Sequence, residues 1–391
     1  MKKGSSKTSN GSKWLERFRP NGLYRNATSL AMTAPELRRS KKRRFQPKPH
    51  LEKIGGMDKQ VRSFISAHCE LASPETSILR TAIAESILHL SKNFNTIINL
   101  KRINDVKEIN RFLHAVNQHL PENGKFIGCV ETKYLRKRRI MRKFPPVINQ
   151  LYYLLDFILK RVFPKLPVTR FIYLKLTGDR NKVLSRTETF GRLYAAGFEI
   201  CEREFIGNNL YFIAKKVKEP LFNYEPVYGP IFRMRRHGKD GRIIHVYKMR
   251  TMHAYSEFIQ QYVYECNNLA EGGKLKDDFR VSTLGRFFRK YWIDELPMII
   301  NFFRGDLKLI GVRPLSSHYL SLYSPELREK RLKHKPGLIP PFYADMPKTL
   351  EEIMESELRY LDAYEKTGFR ADVKYFFRAL YNIVVRKARS K

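Results

Sequence analysis

Between residues 76 and 217 the apolar positions follow two alternating periods. SILRTAIAESILHL at 77–90 has helical apolar spacing, NTIINL at 95–100 reads as a short buried strand, and EINRFLHAVNQHL at 108–120 is again helical. KFIGCVE at 125–131 follows a Pro-Glu-Asn-Gly turn and reads as a strand. Such alternation predicts an α/β region with a parallel sheet. It closes with GRLYAAGFEI at 191–200 and CEREFIGNNLYFIAKK at 201–216, where Gly207-Asn208-Asn209 joins two strands as a hairpin.

One stretch in this region is far more apolar than its neighbours. FPPVINQLYYLLDFILKRVFPKLPVTRFIYLKL at 144–176 is rich in leucine and aromatics, flanked by bases and broken by Pro164 and Pro167. It fits a buried helix with a proline stop. It fits equally an interfacial segment with Tyr152, Tyr153, Phe157 and Phe163 at headgroup depth and Lys and Arg reaching phosphates. Its longest uncharged part, 144–155, falls well short of the roughly 20 residues that cross a bilayer, so no spanning segment is expected.

The chain has 391 residues, 42% of them hydrophobic, which suits packed cores and favours two domains plus tails. Its formal charge of +37 calls for an anionic partner: nucleic acid, anionic lipid or a phosphate-bearing substrate. Residues 1–50 carry 14 Lys or Arg against Glu16 and Glu36, and read as a basic, mostly unpacked arm. The opening MKKGSSKTSNGSKW has bases without an apolar run, unlike a secretory signal. Cys69, Cys129, Cys201 and Cys266 lie tens of residues apart, which argues against a disulfide framework or zinc site and for a reducing compartment.

From Gly229 the character changes. GPIFRMRRHGKDGRIIHVYKMRTM at 229–252 reads as strand, turn at 238–241 and strand, a basic hairpin. Lys248 and Arg250 are two apart, so at strand period they project from one face, either as solvated bases or as a pair able to hold a diphosphate. In the segment 277–315, Asp294 and Glu295 stand before the apolar run LPMIINFF. On local grounds Asp294 is an N-cap and Glu295 a first-turn acid, with Pro297 tolerated behind them. Arg280, Arg286, Arg289 and Arg313 lie within twenty residues, and Arg286 and Arg289 share a helical face. Two carboxylates among guanidinium groups can stay ionised, hold Mg2+ through oxygen and meet a phosphorylated substrate, and an Asp can itself attack phosphorus.

The motifs GPIF at 229–232, HGKDG at 237–241, YKMRTM at 247–252, DDFRVSTLGRFFRK at 277–290, DELP at 294–297, GDLKLIGVRPL at 305–315 and KPG at 335–337 occur in one order. In this the chain resembles the monotopic phosphoglycosyl transferases, or bacterial sugar transferases. The resemblance implies an α+β catalytic domain over 220–391 that transfers a sugar 1-phosphate from a nucleotide diphosphate sugar, such as a UDP-sugar, to polyprenyl phosphate. It implies work at the cytoplasmic face of the bacterial inner membrane without a transmembrane span, initiating a surface glycan. By motif, Asp294 would be the nucleophile, and Glu295, with Asp294, would ligate Mg2+. Lys248, Arg250, Arg289 and Arg313 would bind phosphate oxygens. Pro314 would orient Arg313, while Asp278, Arg280 and Arg286 would support the site. Two departures stand out. VKEPLFNYEPVY at 217–228 replaces the apolar re-entrant helix usual in the family, and LIPPFYADMP at 338–347 replaces its small-residue loop. The 144–176 stretch and the C-terminal VKYFFRALYNIVVRKARSK are candidates for membrane contact instead.

More weakly, 76–217 is similar to the second half of class I methyltransferase folds. Gly55-Gly56 lacks a preceding strand, so the implied domain at 51–219 is a partial Rossmann-like sheet without cofactor. A nucleic-acid binder would explain the charge but not the motifs from 229 to 315, and no nucleic-acid partner is expected. A scaffold without catalysis would leave the acid pair and its bases unused.

Overall fold

The computed structural model describes residues 57–90, 94–222, 224, 226, 228–267 and 277–386. The basic arm read at 1–50, Gly55-Gly56 and the last five residues of the C-terminal basic stretch lie outside the described residues.

Strands β1 (Thr76–Leu79), β2 (Thr96–Arg102), β3 (Lys125–Val130), β4 (Phe198–Ile206) and β5 (Asn209–Lys216) form one sheet in the order β1-β2-β3-β5-β4. The first three are parallel, and β5 runs antiparallel to both β3 and β4. Strand alternation sends neighbouring residues to opposite faces. Ile97, Phe126 and Phe212 enter a core with the helices Ile109–Gln118 and Arg186–Ala195, while Ile98, Ile127 and Ile213 meet the helix Lys59–Ser66. Both faces are therefore covered, as a parallel sheet requires. The β4–β5 hairpin turns on Gly207, whose φ of 59° at the first loop position suits a tight two-residue connection.

The helical reading of 77–90 is wrong for its first half. Residues 76–79 are the fully buried strand β1, and only Glu85–Leu88 is helical. A short apolar run buried on both faces carries no period, so spacing alone could not separate it from the helix behind it.

Residues 148–177 form a bent helical arm of unusual polarity. It runs through the helix Ile148–Phe157, a π turn at Ile158–Val162, a 3-10 turn at Phe163–Lys165 and the helix Pro167–Thr177, which Pro167 opens. The face turned inward is ionic. Asp156 accepts two hydrogen bonds from Arg136, at 2.6 and 2.8 Å, and one from Lys160 at 2.7 Å. Although burial opposes it, these cations hold Asp156 below the usual carboxylate range. Arg161 donates to the Val183 carbonyl at 2.7 Å and pairs with Glu188, which also accepts from Lys165 and Arg192. The outward face is apolar: Leu151 is 59% exposed, Val168 85% and Phe171 69%. The buried-helix reading of 144–176 therefore fails, because most of its apolar side chains are exposed and what it buries is Asn149, Asp156, Arg161 and Tyr173. Among the described residues no helix is long and apolar enough to cross a membrane.

After β5 the chain forms the hairpin β6 (Ile231–His237) and β7 (Ile243–Met249) expected from the sequence, turning at Asp240 and Gly241 with positive φ. Ile259, Tyr262 and Val263 return to the core of the five-stranded sheet. The short parallel pair β8 (Lys308–Ile310) and β9 (Gly337–Ile339) leads into a second core. There Ile310, Val312, Leu361 and Tyr375 pack between the helices Pro325–Leu332, Leu350–Thr367 and Phe369–Val384. That last helix buries Ala371, Tyr375 and Ala379 and leaves Phe377, Tyr381 and Val384 exposed.

Candidate active site

The acid pair sits in a 3-10 helix, Ile293–Met298, that runs into the helix Ile299–Phe303. The cap is Trp292, in a left-handed conformation with φ of 53°, and not Asp294. Asp294 and Glu295 are inside the first turn, so the local explanation of Asp294 as an N-cap does not hold. Trp292 is fixed by a hydrogen bond from its Nε1 to Tyr343 Oη at 2.8 Å. Burial, with the Glu295 charge adding to it, pushes the Asp294 carboxyl above its ordinary range, against the pull of Lys248 and Arg289.

Cations reach this pair from three elements. Lys248, near the end of β7, donates to Glu295 Oε1 at 2.6 Å. Burial pushes its ammonium below the usual lysine range, although Glu295 opposes this. Arg313, beyond β8, approaches the same oxygen at 3.6 Å. Arg289, from the helix Thr283–Lys290, is bonded to Thr251 Oγ1 at 3.0 Å and has Asp294 and Asp278 as its charged neighbours. A small pocket of about 40 Å³ is lined by Arg236, Lys248, Glu295, Arg313, Pro314 and Tyr343, among others.

Two glycines let these elements come close. A Cβ on Gly285 would stand 2.0 Å from the Thr251 carbonyl oxygen, so the helix bearing Arg289 lies directly on the backbone leaving β7. Ser282 caps that helix through the Gly285 N–H at 2.9 Å, and its own N–H donates to the Thr251 carbonyl. A Cβ on Gly337 would meet Gly311 N at 2.1 Å, where β9 crosses the strand leading to Arg313.

The remaining sequence candidates fall at different distances from the chemistry. Asp278 and Arg280 pair with each other at 2.7 Å, and the Arg280 carbonyl accepts from the His253 N–H at 2.9 Å. Pro314 lines the pocket. Arg250 lies beyond the end of β7. It donates to the Gly229 carbonyl at 2.9 Å and has Glu257 and Tyr224 as its charged neighbours, so strand period does not carry it to Glu295 with Lys248. Arg286 is exposed, and its charge is felt at Lys133.

The sequence reading missed Arg236, Arg331 and Asn301. Arg236 was legible, because strand period places it on the face of Met234, Val246 and Lys248 that lines the pocket. Arg331 holds the Arg313 carbonyl at 2.6 Å and is itself paired with buried Glu357. Asn301, fully buried, accepts from the Tyr247 N–H and donates to the His245 carbonyl and Asp306, which ties the dyad's helix to β7.

The comparisons with known proteins agree on this half of the chain. The family model for bacterial sugar transferases matches residues 222–386. Over these residues the chain is similar to bacterial sugar transferases. It is 38% identical over 112 residues to a galactosyl transferase, CpsE, of Streptococcus agalactiae, covering 28% of this chain and 25% of that protein. It is 34% identical over 116 residues to the undecaprenyl-phosphate galactose phosphotransferase of Salmonella typhimurium, covering 28% and 24%. A UDP-glucose:undecaprenyl-phosphate glucose-1-phosphate transferase of Xanthomonas campestris is 29% identical over 146 residues, covering 34% and 28%. The chain thus spans a quarter to about half the length of the curated relatives it matches. An O-methyltransferase family structure from Burkholderia thailandensis aligns over 34% of this chain and 33% of its own at 9% identity. Its TM-score of 0.21 carries no argument about the α/β region. All the catalytic candidates, including Arg236 and Arg331, fall inside the matched residues 222–386.

Proposed function

We propose that the sugar transferase domain moves a sugar 1-phosphate from a nucleotide diphosphate sugar, a UDP-sugar in the simplest case, to polyprenyl phosphate at the cytoplasmic face of the inner membrane. The observation that carries the reading is the meeting of Asp294 and Glu295 with Lys248, Arg289 and Arg313, cations drawn from three separate elements. An Asp294 carboxylate oxygen attacks the β-phosphorus, the bond from that phosphorus to the bridging oxygen breaks, and UMP leaves with the bonding electrons. An oxygen of polyprenyl phosphate then attacks the same phosphorus. The aspartyl oxygen departs as a carboxylate, and polyprenyl diphosphate sugar forms. Lys248, Arg289, Arg313 and Arg236 stabilise charge on the phosphoryl oxygens as bonds exchange.

Mg2+ fits the donor set. It binds through one or two carboxylates completed by substrate phosphates. Glu295 and Asp294 are such a pair, and among the described residues no cluster of three or more potential ligands offers an all-protein cage. Bound there, it would neutralise diphosphate charge.

The test is UMP release from a panel of UDP-sugars with undecaprenyl phosphate, alongside intact-protein mass with donor alone. The expected result is release with at least one donor and a mass gain equal to a phosphosugar that Asp294→Asn abolishes. Transfer without any such adduct, undiminished in Asp294→Asn, overturns the covalent reading.

A further inference from the structure

We propose that the bent arm of residues 148–177 is a lipid-inserting element, which places its outer apolar face in an anionic phospholipid bilayer while its ionic inner face holds it to the protein. The inference deepens the membrane contact of the proposed function, and rests on it only in that a polyprenyl acceptor brings the enzyme to a bilayer.

A helix on the surface of a soluble protein turns its apolar stripe inward and its charges outward. This arm does the reverse from Ile148 to Lys165, and beyond Pro167 it buries only Tyr173 while its other apolar side chains stay largely exposed. Asp156, Arg161 and Lys165 face the body, where they meet Arg136 and Glu188, both buried. Leu151, Leu155, Val168, Phe171 and Leu176 face outward, each more than half exposed. Buried ion pairs cost desolvation and add little net stability, so an apolar inner face would hold the arm at least as well. Outward leucine, valine and phenylalanine gain free energy only when something apolar covers them.

Charge complementarity identifies what covers them. Between residues 133 and 178 the only acid is Asp156, which is buried. Lys137, Arg142 and Lys143 on the preceding helix, and Arg170 and Lys175 on the arm, are exposed. An apolar face edged by bases and free of exposed acid matches acyl chains below a layer of phosphates. The helix Ile148–Phe157 is about 15 Å long at 1.5 Å per residue, so it enters one leaflet and does not cross the ~30 Å hydrocarbon core.

The arm is also joined to the catalytic half. Lys165 lies over the Tyr228 ring at 4.5 Å, one residue before the Gly229 motif. Arg161 and Arg286 both press their charge on Lys133, and the helix bearing Arg286 exposes Leu284 and Phe287. The helix that carries Arg289 thus exposes apolar side chains of its own.

The experiment is flotation of the full chain with phosphatidylglycerol–phosphatidylcholine vesicles, at low salt and at about 1 M salt, where a Debye length of ~3 Å removes purely electrostatic binding. Wild type is expected to float in both. The triple variant Leu155→Glu, Val168→Glu, Phe171→Glu is expected to lose high-salt flotation about tenfold or more, with an unchanged melting temperature and unchanged transfer to detergent-dispersed acceptor. In a second measurement, Val168→Trp should add fluorescence that brominated acyl chains quench. The proposal is overturned if the triple variant floats like wild type at high salt, or if the added tryptophan is not quenched. It is also overturned if wild type fails to float, or if the variant turns dimers into monomers with vesicle binding intact, which would make a second copy the cover. Absent transfer with flotation intact would instead count against the catalytic reading alone.

Discussion

The five-stranded sheet and the arm beside it are built on opposite principles. In the sheet, Phe126 sits among Phe112, Phe198 and Phe212 with apolar atoms on every side. In the arm, Asp156 holds the corresponding inward position and is fixed by Arg136 and Lys160. The dyad's helix resembles the arm: it buries Asn301 and exposes Leu296, Ile299 and Phe303. The sheet is stabilised by leaving water, whereas the arm and the dyad helix rely more on directed polar bonds and leave much of their apolar surface exposed. Stability and function are therefore assigned to different surfaces of one chain.

The sharpest way to test that division is to separate the two properties by substitution. Asp294→Asn should lower UMP release by roughly 10³–10⁴-fold. It should leave the melting temperature unchanged or raise it, since a carboxyl whose pKa is pushed up on folding costs stability at neutral pH that is regained as pH falls. Release should accordingly decline with falling pH at a higher pH than an ordinary aspartate would give. A large loss of stability in this variant would mean that Asp294 is structural.

Next in size is Asp156→Ala, which leaves Arg136 with only Glu131 and Asn181 as partners and should cost about 3 kcal/mol in chemical denaturation. That is at the lower end of what Phe126→Ala costs in the sheet, about 3–5 kcal/mol. Replacing both partners, Arg136→Met with Asp156→Leu, should recover most of it. If the single variant were neutral, the ionic face would not be what holds the arm.

Within the site, Lys248→Met should reduce kcat by about 10²-fold, because it removes the cation nearest the dyad. Arg250→Ala should cost roughly tenfold or less in kcat/KM, since its guanidinium is committed to the Gly229 carbonyl. Equal losses in the two would show that Arg250 swings into the site when substrate binds.

How much of this was legible in the sequence depends on where the deciding partner lies. β2 and β3 are short apolar runs set off by polar and turn residues, and the β4–β5 hairpin has its Gly207 turn, so these could be read directly. β1 could not, because its apolar residues run on into those of the helix behind it. The meeting of Lys248 with Glu295 was read through motifs, 47 residues apart. The roles of Arg331 and Asn301 were not, because their partners Arg313, Glu357 and His245 belong to other elements. For the arm, spacing shows an apolar stripe but not which side faces inward. That is settled by Arg136 and Glu188, each twenty or more residues from the group it holds.

The contact of Gly285 with the Thr251 carbonyl has a consequence for how such sites can diverge. Backbone lies on backbone there, so no side chain serves as an adjustable spacer between Arg289 and the strand bearing Lys248. The Gly311–Gly337 crossing fixes the approach to Arg313 in the same manner. Together they act as a gauge block, setting the separation of the cations by peptide thickness alone. A site gauged in this way can measure out only one kind of anion. Under the proposed function, a change of sugar or lipid would have to come from parts outside the gauge, such as the segment 338–347 around Tyr343.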